Sequence, residues 1–194
     1  FNPRFSPIKG DYLTFEEFWP RFDQMMSWLA RTYVNALKII HYMHDKYDYE
    51  AFEMALHDGD VQRTRATGIA GLSIVTDSIA AMKNCKVRII RDETGLAVDY
   101  KIEEGEYVPF GNNYDETDQI AVMLTEKFME YLRQHRTYRD AIPTQSLLTI
   151  TSNVVYGRNT GATPDGRKKG VPFAPGATPM NSRDMKGAVA ALTS

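Results

Sequence analysis

Between residues 14 and 47, apolar Phe18, Phe22, Met25, Leu29, Tyr33, Leu37 and Ile40 recur every three or four positions, which predicts an amphipathic helix. Thr14 and Glu17 have the spacing of a capping box at its start. Pro20 lies beyond the first turn, so it should either kink the helix or delay its beginning. The pattern fades near Tyr47, and residues 49–56 suggest a shorter helix. The run "TGIAGLSIVTDSIAAM", residues 67–82, is small and apolar almost all round, which predicts a helix buried at the centre of a large protein. "KVRII" and "LAVDYKI" flank the turn "RDETG" and predict a hairpin. Residues 115–134 form a further amphipathic pattern, with Ile120, Met123, Leu124, Phe128 and Leu132 on one side. In "TQSLLTITSNVVYG" the first half predicts a buried strand, while the second half fits strand or helix. Asp184 stands as a candidate N-cap before the Ala-rich run that closes the chain.

Alternating helices and strands, without repeats or low-complexity linkers, place the chain in the α/β or α+β class. Its 194 residues are 43% hydrophobic and 25% charged, enough for a real core with an ordinary surface. A formal net charge of -2 excludes a global field drawing the chain to nucleic acid or membrane. No apolar run reaches the roughly 20 residues that span a bilayer. The single cysteine, Cys85, precludes an internal disulfide framework and suits a reducing compartment. Opening on Phe1 and closing inside a helical pattern, the chain is expected to be an interior piece of a larger protein.

Four motifs bear on chemistry. Gly161 and Gly166 have the separation of a phosphate-binding loop, but Arg167 and Lys168 occupy the Lys and Ser/Thr positions and Pro164 removes a backbone donor. His41 and His44 are three apart, with Asp45, His57 and Asp58 nearby. The four-residue spacing and intervening Glu of a zinc protease are missing, so no metal is expected. Cys85 has Lys83, Lys86 and Arg88 close in sequence, which would lower a thiol pKa, yet no nucleophile signature surrounds it. Arg158, Arg167, Lys168, Lys169, Arg183 and Lys186 form a basic stretch without the interleaved aromatics of a nucleic-acid site. Salt bridges to other parts of a bigger protein are their expected use. Pro164, Asp165 and Gly166 suit a tight turn, and Pro172, Pro175 and Pro179 stiffen the segment beyond it, so residues 161–187 are a rigid scaffold.

The stretches "PIKGDYLTFEEF", "IIHYMHDKYDYEAFEMALHD", "GIAGLS", "YRDAIPTQSLLTITSNVVYG" and "TGATPDGRKKGVPFAPGATPMNSRDMKGAVAALTS" closely resemble the pyruvate formate-lyase (formate C-acetyltransferase) family, end to end. The T-P-D-G-R-x-x-G-x-P-x-x-x-G stretch looks like one shared among glycyl radical enzymes. The resemblance implies an α/β fold, this chain being a partial segment of a ten-stranded barrel, helix-rich with a hairpin and a buried strand. It implies a cytoplasmic homodimer (organellar in some eukaryotes) serving anaerobic glucose fermentation, without nucleic-acid or membrane partners. Such enzymes interconvert pyruvate plus CoA with acetyl-CoA plus formate. A stored glycyl radical, installed by a radical S-adenosylmethionine activating enzyme, passes to one of two adjacent cysteines. The resulting thiyl radical adds to the pyruvate carbonyl, the C–C bond breaks homolytically, and acetyl is held as a thioester until CoA takes it. A dry barrel interior protects these steps.

The paired cysteines and the glycine-radical motif do not occur in residues 1–194, and Cys85 matches neither cysteine. No catalytic residue carries over, and the whole of 1–194 reads as an interior part of the pyruvate formate-lyase domain. What the chain supplies is wall. Alternation along "TQSLLTI" puts Ser146, Leu148 and Ile150 on one face. Leu148 and Ile150 match positions that line the family's substrate pocket, with ordinary core packing as the alternative. Two rival functions stay open: a paralogue preferring 2-oxobutanoate, or a non-catalytic interaction or subunit piece. With the helix at 67–82 deprived of its surroundings, the isolated chain is expected to be molten or aggregation-prone.

Overall fold

The computed structural model describes residues 2–57, 59, 61–147 and 150–194. The long amphipathic pattern forms α1 (Phe15–Asp45), immediately after the two-residue strand β1 (Tyr12–Leu13). Thr14 caps α1, its hydroxyl accepting from the Glu17 amide at 3.3 Å. Pro20 neither delays nor ends the helix. Glu16 has no amide donor four residues on, and the Arg21 guanidinium bonds the neighbouring Glu17 carbonyl. Next come α2 (Tyr49–Met54), β2 (Thr64–Gly68) and α3 (Leu72–Asn84). The hairpin is β3 (Lys86–Arg91) with β4 (Ala97–Glu104), antiparallel as predicted. The chain continues through α4 (Asp115–Arg133), a 3-10 turn at Tyr138–Asp140, β5 (Ile142–Ser146), α5 (Asn153–Asn159) and α6 (Gly187–Thr193).

Among the described residues the strands form two sheets. One is antiparallel in the order β1-β3-β4, the other a parallel pair of β2 and β5 with Thr64 opposite Ile142 and Gly68 opposite Ser146. The core lies where α1, α3 and α4 meet: Ala30 and Val34 of α1, Ile79 and Ala80 of α3, and Leu124, Phe128 and Leu132 of α4 are buried together. Leu13 and Ile89 join it from the antiparallel sheet. Full burial of a side chain such as Ile79 or Leu132 contributes about 1.5–3 kcal/mol. Residues 160–186, rich in Gly and Pro, wrap the other flank of α3, where Ala174, Met180 and Phe173 pack on Ile74.

Several expectations are corrected. Thr67 and Gly68 belong to β2, and α3 begins only at Leu72, because Gly71 at φ +84° cannot start a right-handed turn. Almost every side chain of α3 is buried by this chain's own elements, so the supposed lack of surroundings does not hold. Among the described residues the strand predicted in "TQSLLTI" is β5, Ile142–Ser146, and it is only half-buried. Ile150 lies outside that strand, and Leu148 lies outside the described residues. The second half of that run is the helix α5, resolving the strand-or-helix choice. Lys186 rather than Asp184 precedes α6, and no side chain caps that helix.

Candidate functional site

The parallel pair ends on one side of the molecule, at Gly68 and Ser146, and the Ile69 amide donates to the Ser146 carbonyl at 3.3 Å just beyond. Ligand sites in α/β proteins gather at the carboxyl ends of parallel strands. There a mostly apolar cavity of about 390 Å³ opens between α1 and the β2–α3 turn, walled by Phe22, Met26, Tyr33, Leu72, Val75 and Phe128. Tyr33 is its polar marker. Its hydroxyl accepts from the Gly68 amide at 3.2 Å and so ties α1 to the strand end. This arrangement can hold an apolar group; among the described residues its lining presents no acid, base or nucleophile.

The scaffold at 160–186 is held by two arginines, Arg167 buried and Arg183 half-buried. In the turn Thr163–Gly166, the Gly166 amide donates to the Thr163 carbonyl at 3.0 Å, and the Thr163 amide donates to the Arg167 carbonyl at 2.9 Å. Arg167, 3% exposed, spends its guanidinium on main-chain carbonyls: Val171 at 2.8 Å, Lys168 at 3.2 Å, Thr160 at 3.5 Å, and Gly161. Phe173 packs its ring under the same cation. A phosphate cradle would need these donors free, so the loop serves structure. Arg183 reaches two carboxylates, Asp77 of α3 and Asp165 of the turn, each at 2.6 Å. Lys168 pairs with Asp99 of β4 at 2.5 Å. The expectation that the basic stretch bridges to other parts of a larger protein is corrected for Arg183 and Lys168, whose partners lie within this chain.

Other candidates fall into place individually. His41 faces Glu50 at 3.4 Å, and Glu50 also binds Arg63 and Arg139. Among the described residues no three metal-binding side chains converge. Cys85, at the end of α3, has its thiol pushed above the ordinary value by burial and by Glu106, the opposite of an activated nucleophile. Ile150 is half-buried just ahead of α5; Leu148 lies outside the described residues. Sequence reasoning does not find the Asp77–Arg183–Asp165 cluster. Its one signal is Asp77 itself, the lone charge in an apolar helical run, which must be paired if buried.

The same architecture is found in glycyl radical enzymes. The chain superposes with TM-score 0.72 on a glycyl radical enzyme from Archaeoglobus fulgidus, at 19% identity over 95% of this chain and 26% of that one. It superposes with TM-score 0.70 on the glycerol-bound B12-independent glycerol dehydratase from Clostridium butyricum, at 22% identity over 95% and 26%. These likenesses establish the fold, a partial α/β barrel. A family model, pyruvate formate lyase-like, matches residues 1–157, and the chain belongs to that family. It is similar to formate acetyltransferase 1 of Escherichia coli K12, 62% identical over 193 residues. It is 59% identical over the same length to the PFL-like enzyme TdcE of that organism. All of this chain is covered in both, but the chain spans 25% of the length of each relative. Among the described residues no helix is long and apolar enough to cross a membrane.

Proposed function

We propose that these residues form part of the barrel wall of a formate C-acetyltransferase, which interconverts pyruvate and CoA with acetyl-CoA and formate. The observation that carries this is the 62% identity to formate acetyltransferase 1 across the whole chain. The chemistry of such an enzyme, carried by a glycyl radical and a cysteine pair, belongs to residues other than these. What these residues contribute is a dry and rigid surround: the apolar cavity at the strand ends, and the 160–186 scaffold locked by Arg167 and Arg183. Exclusion of water protects reactive intermediates from side reactions. Within the proposal the whole of 1–194 is an interior part of one catalytic domain, and Leu148 and Ile150 line the substrate pocket. A homodimer, a radical S-adenosylmethionine activating enzyme and a cytoplasmic setting complete it.

A paralogue acting on 2-oxobutanoate is the second reading, because 59% and 62% identity to two different members of the family do not single out one substrate. One CH₂ of pocket volume separates the two acids. The test is a chimera of E. coli formate acetyltransferase 1 carrying this chain in place of its own matching region, activated anaerobically. An electron paramagnetic resonance signal from the stored radical reports correct assembly. With that signal present, acetyl-CoA formation from pyruvate supports the proposal, and faster turnover of 2-oxobutanoate favours the second substrate. A radical signal without turnover of either acid would sink both.

A further inference from the structure

Beneath residues 160–186 lies a cluster in which two carboxylates are paired with one cation. The side chains of Asp77 and Asp165 are both 0% exposed, and they share one cation, Arg183, whose Nη1 stands 2.6 Å from a carboxylate oxygen of each. The other groups around them are neutral donors. The Phe110 amide donates to Asp77 at 2.8 Å and the Ser78 hydroxyl to Asp165 at 3.2 Å. Tyr107 donates its phenol to the Asp165 carbonyl at 3.0 Å and accepts from Arg183 at 3.3 Å. The next cation, Arg167, turns its guanidinium to the main-chain carbonyls of the turn. Arg167 acts on Asp165 through space without pairing with it, so with both carboxylates ionised two buried anions share one directly paired cation, an expensive arrangement that a single proton eases.

We propose that Asp77, Asp165 and Arg183 form a proton-dependent clasp, which fastens residues 160–186 to α3 while one carboxyl is protonated and slackens when both ionise. Arg183 comes from the 180–183 connection, Asp165 from the 163–166 turn, Asp77 from α3 and Tyr107 from the loop after β4, so four separate segments meet at this point. Asn112 fastens the same connection a few residues on, donating to the Arg183 carbonyl at 2.7 Å and accepting from the Met185 amide at 2.9 Å. Burial raises the Asp77 carboxyl to about 6, helped by Asp165 and opposed by the Phe110 amide and Arg183. Because this value is raised on folding, the clasp's contribution is complete below the ordinary 3.8 and is lost as pH rises through about 6.

Hydrogen exchange of the complete chain, corrected for intrinsic rates, tests this between pH 5 and pH 8. Protection of amides in 160–186 should fall about tenfold over that range, while α1 stays level. In Asp77→Asn, which keeps the acceptor for Phe110 but cannot ionise, the slope should vanish. A flat profile in the unsubstituted chain, or an unchanged slope in the variant, would overturn the clasp. Should the variant fail to fold, carbon-13 NMR of aspartate carboxyls in the unsubstituted chain decides. A midpoint near 6 supports the clasp, and titration of every aspartate below pH 5 overturns it.

Discussion

A Cβ placed on Gly157 would stand 2.2 Å from the carbonyl oxygen of Val171 and 2.6 Å from the Pro172 Cα, so α5 meets the scaffold backbone to backbone. Gly157→Ala must push that main chain aside. We expect a loss of about 2 kcal/mol or more, read as a lower thermal midpoint. Gly161→Ala is the control, because nothing lies within 4 Å of its Cβ position, and its melt should match the parent.

Arg167 holds four carbonyls with one planar, permanently charged fork. Lysine cannot reproduce that geometry. Arg167→Lys should cost about 1–3 kcal/mol, because partly buried acceptors lose their donors. Limited proteolysis should then cut within 160–172 faster than in the parent chain.

Removing Arg183 leaves two carboxylates buried without a counter-charge. Arg183→Met should destabilise by about 3–5 kcal/mol at neutral pH. The loss should be smaller at pH 5, where the raised Asp77 carboxyl takes up a proton, and denaturant titrations at the two pH values will check the sign. Asp77→Asn should be milder at pH 8, since it leaves Arg183 and Asp165 as a one-to-one pair.

Cys85 should react slowly. Its thiol is raised by burial and Glu106, so alkylation by iodoacetamide at pH 8 should run several-fold below a free thiol of ordinary acidity. Cys85→Ser in an activated whole enzyme should leave acetyl transfer intact.

If Ile150 faces the substrate's methyl group, Ile150→Ala in the whole enzyme opens room for one more carbon. The ratio of kcat/KM for 2-oxobutanoate over pyruvate should then rise about tenfold. An unchanged ratio, with the radical signal retained, would assign Ile150 to packing.

The elements legible in the pattern are local ones. α1, α4 and the β3–β4 hairpin arise from periodicities and turn chemistry contained in their own residues. β2 cannot be read that way: "TRATG" carries a charge and a glycine, and it is a strand because Ile142–Ser146 pairs with it. The same non-local pairing fixes the end of β5 at Ser146, short of Ile150, which apolar alternation alone cannot locate. The tight turn at 163–166 is legible from Pro164, Asp165 and Gly166, but Asp165's partner is not, because Arg183 and Asp77 converge on it from distant positions. As for the candidate site, the cavity depends on how α1, α3 and α4 approach one another, and nothing in a single segment encodes that.

The bond from the Thr67 hydroxyl to the Thr144 carbonyl joins positions 77 residues apart. During synthesis β2 leaves the ribosome well before its mate exists, while the two strands of the hairpin are joined by a short turn. Closing so long a segment as free coil would cost about 2.5 kcal/mol more than closing a few residues, so prior folding of the intervening elements lowers that entropic barrier. The parallel pair, like the β1–β3 pair whose Tyr12 meets Arg88, therefore depends on the folding of the elements between its halves.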